Sequence, residues 1–496
     1  MKSFAKKQPG FLLAIVLFVL MLLLNPLGLN AMASKVLAIA FFMITLWVTE
    51  ALAMPIVALI PLVLFPLMKI CKVDEAAAPY ANPVVFLFMG GFMIGLAIEK
   101  WNLHKRIALN IIKLTGTSGN KIILGFIIAA GFLSMWLSNT ATTMMMFPIA
   151  MSVIVAIEQN YKGNGNVNNL AICLLLAIAY ASNFGGIATI IGTPPNVAFV
   201  GFLEKKYNYH FQFIDWMLLC LPIALLLMFC LYFIMTRWLF KNNIQNNETT
   251  ANLISYELQQ MGKISPPEKR VLVIFIFTAF LWITKDLLNT KEFQQAISFH
   301  YYNTAFFKLD DTMIAILGAL LLFITPSNSL IPETKQLLEW HDTRKMAWGI
   351  LLLFGGGISL ANQLEKAGLI QQLGSWMANY AGTNLLLLIL VVTIISIFIS
   401  EVMSNVAQVI VFAPVVVSIA DAMHINPLML GIPMTLAASC ASMLPMGTPP
   451  NAIVFASGKL KLGDMVKAGF IMNIIATILI ALFSYYLLPM IVPTIK

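Results

Sequence analysis

Apolar runs of about twenty residues, the length a helix needs to cross a roughly 30 Å hydrocarbon core, recur from one end of the chain to the other. They fall at 11–28, 35–50, 53–70, 83–98, 170–191, 212–236, 270–289, 312–325, 346–361, 425–445 and 464–491, eleven candidate spans. In lipid every backbone donor and acceptor must be satisfied within the protein, so helices are the expected spanning element. Composition agrees, since 60% of the 496 residues are hydrophobic and 10% charged, against about 25% charged in soluble domains. The expected fold is an all-α polytopic membrane protein.

Two further apolar stretches, Ile122 to Ile157 and Leu385 to Ile419, fit poorly as simple crossings. As straight helices they would reach about 54 Å, too long for one passage and too short for two. Each carries a polar cluster near its middle, so each is read as a re-entrant helical hairpin with the cluster at its tip. Irregular backbone at that depth must be buried in protein or line a wet cavity.

The chain also repeats itself, without a gap for about sixty residues, at an offset of 266. Phe88, Gly90 and Gly91 match Phe354, Gly356 and Gly357; Glu99, Lys100 and Leu103 match Glu365, Lys366 and Leu369; Gly116 and Thr117 match Gly382 and Thr383. The tips follow in register, with Ser134, Ser138, Asn139, Ala141 and Pro148 matching Ser400, Ser404, Asn405, Ala407 and Pro414. Downstream, Gly192-Thr193-Pro194-Pro195-Asn196 returns as Gly447-Thr448-Pro449-Pro450-Asn451. Chance likeness of apolar segments supplies matched Leu and Ile, not a shared order of Gly, Glu-Lys, Ser-Asn and Gly-Thr-Pro-Pro-Asn. Four crossings separate the span at 83–98 from that at 346–361, which makes the two repeats opposite in orientation. Loop charge agrees: Lys100, Lys105, Arg106, Lys113 and Lys121 follow the first copy and only Lys366 the second, and positive residues favour the cytoplasm. The loop from Arg237 to Arg270 also falls inside, while Lys205 and Lys206 fall outside against the trend. The N-terminus is expected in the cytoplasm and the C-terminus outside, in a plasma or inner membrane.

Several function classes are disfavoured. The net charge of +9 sits in short connections, not in a patch interleaved with aromatics, so no nucleic-acid partner is expected. Cys71, Cys173, Cys220, Cys230 and Cys440 are scattered through apolar segments without CxxC or metal-ligand spacing. No nucleophile–base pair or His-Glu cluster appears in a span, so an enzyme is not expected. The basic start and the apolar run from Phe11 to Leu24 imitate a signal peptide; with so many spans following, a retained first span is the expectation.

What remains is a pair of neutral, oxygen-rich tips. Ser134, Ser138 and Asn139, and in the second copy Ser400, Ser404 and Asn405, place hydroxyl and amide oxygens on one face of a helix that stops at mid-membrane. Such oxygens, with backbone carbonyls freed at a helix break, hold hard cations. Beyond each tip a new helix is expected from Ala141 or Ala407, and its amides and dipole favour an anion. The bland alternative, that Ser and Asn only join transmembrane helices, explains one cluster better than two in register. Two successive prolines cannot continue a helix, so each Gly-Thr-Pro-Pro-Asn breaks one, freeing carbonyls at Gly192 and Gly447 and turning the hydroxyls of Thr193 and Thr448 toward a ligand. No lysine or arginine lies between Ile122 and Ile157, and between Lys366 and Asp421 the only charge is Glu401. A multivalent anion bound there lacks compensation unless cations accompany it. Glu401, an intramembrane acid, either serves the site directly or orients the tip through hydrogen bonds.

Ser138-Asn139-Thr140-Ala141-Thr142-Thr143, Ser404-Asn405-Val406 and both Gly-Thr-Pro-Pro-Asn segments resemble the divalent anion-sodium symporter family over nearly the whole chain. The resemblance implies about eleven transmembrane helices and two re-entrant hairpins in two inverted-topology repeats, in a homodimer whose transport parts move like an elevator. It divides the chain into a first scaffold part at 1–120, a first transport part at 121–236, a cytoplasmic loop at 237–269, a second scaffold part at 270–384 and a second transport part at 385–496. It implies sodium-coupled symport of succinate, malate, fumarate or citrate, with two or more transported sodium ions as the only cofactor. Carried over by position, one sodium site uses Ser134, Ser138, Asn139 and Gly192, and the other Ser400, Asn405 and Gly447. Substrate contacts fall to Ser138, Asn139, Thr140, Thr193, Ser404, Asn405, Val406, Thr448 and Pro449. The second motif departs from the commoner Ser-Asn-Thr at Val406, and Gln408 stands where a small hydroxyl residue is usual, so the preference between dicarboxylate and citrate stays open. A sodium-independent dicarboxylate exchanger and a sulfate transporter of the same family are the alternatives.

Overall fold

The computed structural model describes residues 2–25, 28–160, 166–245, 248–290, 292–294, 307–328, 335–369, 371–372 and 384–491. Gly382 and Thr383, and the centre of the polar loop at 159–169, lie outside the described residues. Among those described there is no β-strand, only the isolated bridge between Pro326 and Gln336. The helices are α1 Lys2–Leu24, α2 Ala31–Val48, α3 Met54–Val57, α4 Ile60–Leu67, α5 Val73–Ala77, α6 Pro83–Lys100, α7 Leu103–Thr115, α8 Gly119–Ser134, α9 Asn139–Asn160, α10 Val167–Gly186, α11 Pro194–Tyr207, α12 Phe213–Phe233, α13 Glu248–Gln260, α14 Pro266–Leu288, α15 Asp311–Ile324, α16 Trp348–Lys366, α17 Leu385–Ser400, α18 Asn405–Ala422, α19 Leu428–Ala438, α20 Pro449–Phe455, α21 Leu462–Tyr486 and α22 Leu488–Ile491. Among the described residues, eight helices are long and apolar enough to cross a bilayer, and shorter apolar helices accompany them.

Polar side chains set many of the starts. The side chains of Asn30, Asn166, Asp310 and Asn384 accept from the first turns of α2, α10, α15 and α17. Ser265 and Glu268 form a capping box around Pro266 at α14, satisfying donors that an isolated helix end leaves open. Three expectations change. The run at 53–70 is two short helices, because Pro61, in the first turn of α4, has no N–H with which to continue the ladder from α3. The run at 170–191 stops being helical at Gly186, and that at 425–445 at Ala438; both continue as irregular backbone to Thr193 and Thr448. The helices after the tips begin at Asn139 and Asn405, two residues before the expected starts.

Two compact units make up the chain. The first comprises Met1–Val85, Thr193–His210 and Ala347–Lys496; the second Phe86–Gly192 and Phe211–Met346. In the second unit α10 packs against α8, α9 and α12, and every residue from Leu170 to Gly186 is buried. A helix apolar all round and buried all round is enclosed by protein, not lipid. In the first unit α19 has the same character, buried along its whole length and packed on α17, α18 and α21. Each enclosed helix leads directly into a broken segment. By contrast, α14 leaves Val273, Ile276, Phe280, Ile283 and Leu287 exposed, as a lipid-facing surface requires.

The basic connection after the first copy is put to local use. Arg106 donates to both Glu268 oxygens, at 2.9 and 3.2 Å, and to the carbonyls of Gly262 and Met261. Lys105 pairs with Glu257 at 2.8 Å and Lys100 with Asp342 at 2.6 Å. These residues therefore fasten the polar connection ahead of α14 and the segment ahead of α16 within their own unit.

Candidate substrate and cation site

The first tip belongs to the second unit. Ser134 closes α8, Met135 to Ser138 turn the chain, and Asn139 opens α9; the two arms pack on each other. Ser138 acts as the cap, its Oγ accepting from the Ala141 amide at 3.2 Å and its carbonyl from Thr142 at 3.0 Å. Trp136 steadies the turn, stacked on Phe213 with centroids 6.0 Å apart and edge-on to Phe275 at 5.0 Å.

Asn139, 7% exposed, aims one end of its amide at Ser134 Oγ (2.7 Å), the Ser182 carbonyl (3.1 Å) and the Gly192 carbonyl (3.2 Å). The two ends of an amide are interchangeable in position. With nitrogen on this side Asn139 donates to all three; with oxygen there, four oxygens converge, an arrangement that a hard cation reconciles. Small residues make the approach possible. A Cβ on Gly186 would stand 2.2 Å from the Asn139 amide oxygen position, and one on Gly192 would stand 2.5 Å from the Gly186 carbonyl. The broken segment from Ile187 to Gly192 is itself pinned. Thr189 Oγ1 donates to the Met135 carbonyl at 2.5 Å and accepts from Gly192 N at 3.1 Å, and Trp216 Nε1 donates to the Ile187 carbonyl at 3.0 Å.

The second tip belongs to the first unit. Ser400 closes α17 and Asn405 opens α18, with Ser404 at the cap position. The matching residues are differently engaged. Ser400 Oγ, fully buried, donates to the Ala438 carbonyl at 2.6 Å, and Asn405 Oδ1 accepts from its own neighbour's amide, Val406 N, at 2.9 Å. Gln408, whose polarity is unusual for a buried position, donates to the carbonyl and Oγ of Ser396 at 2.8 and 2.6 Å.

Both Gly-Thr-Pro-Pro-Asn segments take one local structure. Thr193 (φ −142°, ψ 139°) and Thr448 (φ −143°, ψ 151°) are extended, and the two prolines supply the first turns of α11 and α20, where a missing N–H costs nothing. Thr193 falls in the first unit with the second tip. There α11 packs along α18, and the C-terminal ends of the two helices are joined by Lys206 and Tyr207, each 2.7 Å from a carboxylate oxygen of Asp421. The helices thus run in one direction, with Thr193 and Ser404-Asn405 at their leading ends.

Of the residues expected from sequence, Ser134, Asn139 and Gly192 come together in the second unit, with Ser138 and Thr140 on the adjoining turn. Thr193, Ser400, Ser404, Asn405, Val406, Gly447, Thr448 and Pro449 belong to the first. Pro449 is exposed, whereas Gly447 and Thr448 are buried. Sequence reasoning missed Ser182, Gly186 and Thr189. The first acts through its carbonyl and the second by having no side chain, so neither leaves a motif; Thr189 stands three residues before Gly192 and offered a hydroxyl as a signal. A surface cleft of about 310 Å³ lined by Asn82, Glu204, Lys205 and Asn208 among others includes none of the expected residues.

The family model described as the sodium:sulfate symporter transmembrane region matches residues 5–492. The chain belongs to the divalent anion-sodium symporter family. It is accordingly a multi-pass membrane transporter and not an enzyme. The chain is 37% identical over 484 residues to the sodium-dependent dicarboxylate transporter SdcS of Staphylococcus saprophyticus, covering 97% of this chain and 91% of that protein. SdcS of Staphylococcus aureus strain USA300 is 36% identical over 498 residues, covering 98% and 93%. Among solved structures, the Alcanivorax borkumensis YdaH transporter superposes with a TM-score of 0.57 at 12% identity, over 85% of this chain and 88% of that one. MtrF of Neisseria gonorrhoeae gives 0.50 at 13% identity, over 84% and 82%. These two share the fold alone with this symporter-family chain.

Proposed function

We propose that this chain is a sodium-coupled symporter of di- or tricarboxylates, with succinate, malate and fumarate as substrates and citrate as the tricarboxylate candidate. The relatives' sodium-dependent dicarboxylate transport supports the reading, and one observation carries it: the end of the Asn139 amide that faces Ser134 Oγ and the carbonyls of Ser182 and Gly192. When the amide turns its oxygen to that side, four oxygens converge there, a set that serves a cation and repels an anion. Sodium is cargo at two or more positions, one at Ser134, Ser138, Asn139 and Gly192 and one at Ser400, Asn405 and Gly447. From their motif positions, substrate contacts are assigned to Ser138, Asn139 and Thr140 at the start of α9, Thr193 at the start of α11, Ser404 and Asn405 at the start of α18, and Thr448 ahead of α20. The protein works as a homodimer in the plasma membrane, N-terminus inside and C-terminus outside, by elevator movement.

The test is uptake of labelled succinate into proteoliposomes with and without an inward sodium gradient. An increase of at least about tenfold with sodium is expected; uptake indifferent to sodium but dependent on internal dicarboxylate makes the protein an exchanger, and preference for sulfate over every carboxylate in a panel overturns the substrate assignment. Val406, buried beside Asn405, removes a hydroxyl from the second tip. Val406→Thr should change the succinate-to-citrate ratio of kcat/KM by about fivefold, the effect of one neutral hydrogen bond of about 1 kcal/mol. An unchanged ratio would show that this position does not select.

A further inference from the structure

Glu401 is 3% exposed, and its carboxylate meets four N–H donors. Oε1 accepts from Ser442 N at 2.8 Å, Met443 N at 2.8 Å and Asn473 Nδ2 at 2.7 Å, and Oε2 accepts from Leu444 N at 2.9 Å. No ion pair among the described residues reaches it, and no lysine or arginine occurs between Lys366 and Lys459. A carboxylate taken out of water and balanced only by dipoles carries a large desolvation cost.

The three amides it holds are consecutive in the broken segment between α19 and α20. Gly447 N bonds to the Leu444 carbonyl at 3.1 Å, and Asn451 Nδ2 bonds to the carbonyls of Ala441 and Leu444 at 3.3 and 3.2 Å. Glu401 therefore holds the turn that delivers Gly447, and a Cβ on Gly447 would lie 2.9 Å from Glu401 Oε2. The first copy has no such group. Met135 stands at the position matching Glu401, and there Thr189 on the broken segment reaches back to the Met135 carbonyl. One copy fastens its broken segment with a neutral hydroxyl, the other with a buried charge.

We propose that Glu401 is the positioning and charge-balancing residue of the second cation position: its carboxylate fixes the 442–444 turn that presents Gly447, and sodium bound beside it offsets its charge. The inference rests on the assignment of a cation position to each tip.

The test compares wild type, Glu401→Gln and Asn473→Ala in two measurements. In proteoliposomes, the sodium concentration giving half-maximal succinate uptake is measured separately from the succinate KM at saturating sodium. In detergent without substrate, the rise in melting temperature of the purified protein is followed as sodium replaces choline. Glu401→Gln, which removes the charge and turns a donor toward the amides, should raise the sodium requirement about tenfold in both measurements and leave the succinate KM within about twofold. Asn473→Ala, which keeps the charge and loses one donor, should raise it about threefold; this variant decides the matter if Glu401→Gln does not fold. Sodium requirements equal to wild type in a folded variant overturn the inference and leave the symport reading intact. A wild type indifferent to sodium overturns both.

Discussion

Asn139→Ala should lower sodium-driven succinate uptake to about one hundredth of wild type in proteoliposomes containing equal amounts of protein. The amide touches Ser134 Oγ and the carbonyls of Ser182 and Gly192 at once. Hydrogen bonds or ligand contacts to a charged partner are worth about 1.5–3 kcal/mol, and about 1.4 kcal/mol is tenfold, so the upper end of that range corresponds to about a hundredfold. Alanine at the start of α9 leaves the Ser138 cap in place, and the melting temperature in choline should stay close to wild type. Asn405→Ala should have a loss of similar size. Wild-type rates in either variant would remove that tip from the site.

Gly186→Ala should abolish transport in a protein that still folds. The added methyl would lie 2.2 Å from the Asn139 amide oxygen position and 3.0 Å from its Cγ, closer than real contacts allow. The clash falls on the end of one side chain, which can swing away, so Asn139 is displaced from Ser134 and Gly192 while α8, α9 and α10 stay packed. The neighbouring Gly185→Ala is the control. Its methyl would stand 2.2 Å from the Gly131 carbonyl and 2.6 Å from its Cα, backbone that cannot step aside without separating α8 from α10. Loss of folded yield is expected there. Full transport by Gly186→Ala would mean that the position of Asn139 does not matter.

What the sequence made legible was the side-chain part of the plan. The repeated Ser-Asn tips and the paired prolines announce broken helices, and the structure has helices ending at Ser134 and Ser400 and starting at Asn139 and Asn405. Less legible was everything done by backbone. Gly192 was marked by its motif, but Ser182 offers only a carbonyl, Gly186 only the room it leaves beside Asn139, and the partners of Glu401 are amides of residues 442–444, none of which a motif advertises. The enclosed helices α10 and α19 read as ordinary spans because apolar side chains suit a protein interior as well as lipid. The prolines at 55, 61 and 66 were visible, but hydropathy alone joined α3 and α4 into one run. The repeat also hid a difference: Ser134 meets the tip asparagine, whereas Ser400 turns to the Ala438 carbonyl, because the side chains around two equivalent backbones are not the same.

The central claim is that neutral oxygens and broken helix ends hold the anion only in company with a cation. Titration calorimetry of the purified protein with succinate, in sodium chloride and in choline chloride of equal ionic strength, measures this directly. The account predicts saturable binding in sodium that weakens at least about a hundredfold in choline; equal affinity in the two salts would contradict it.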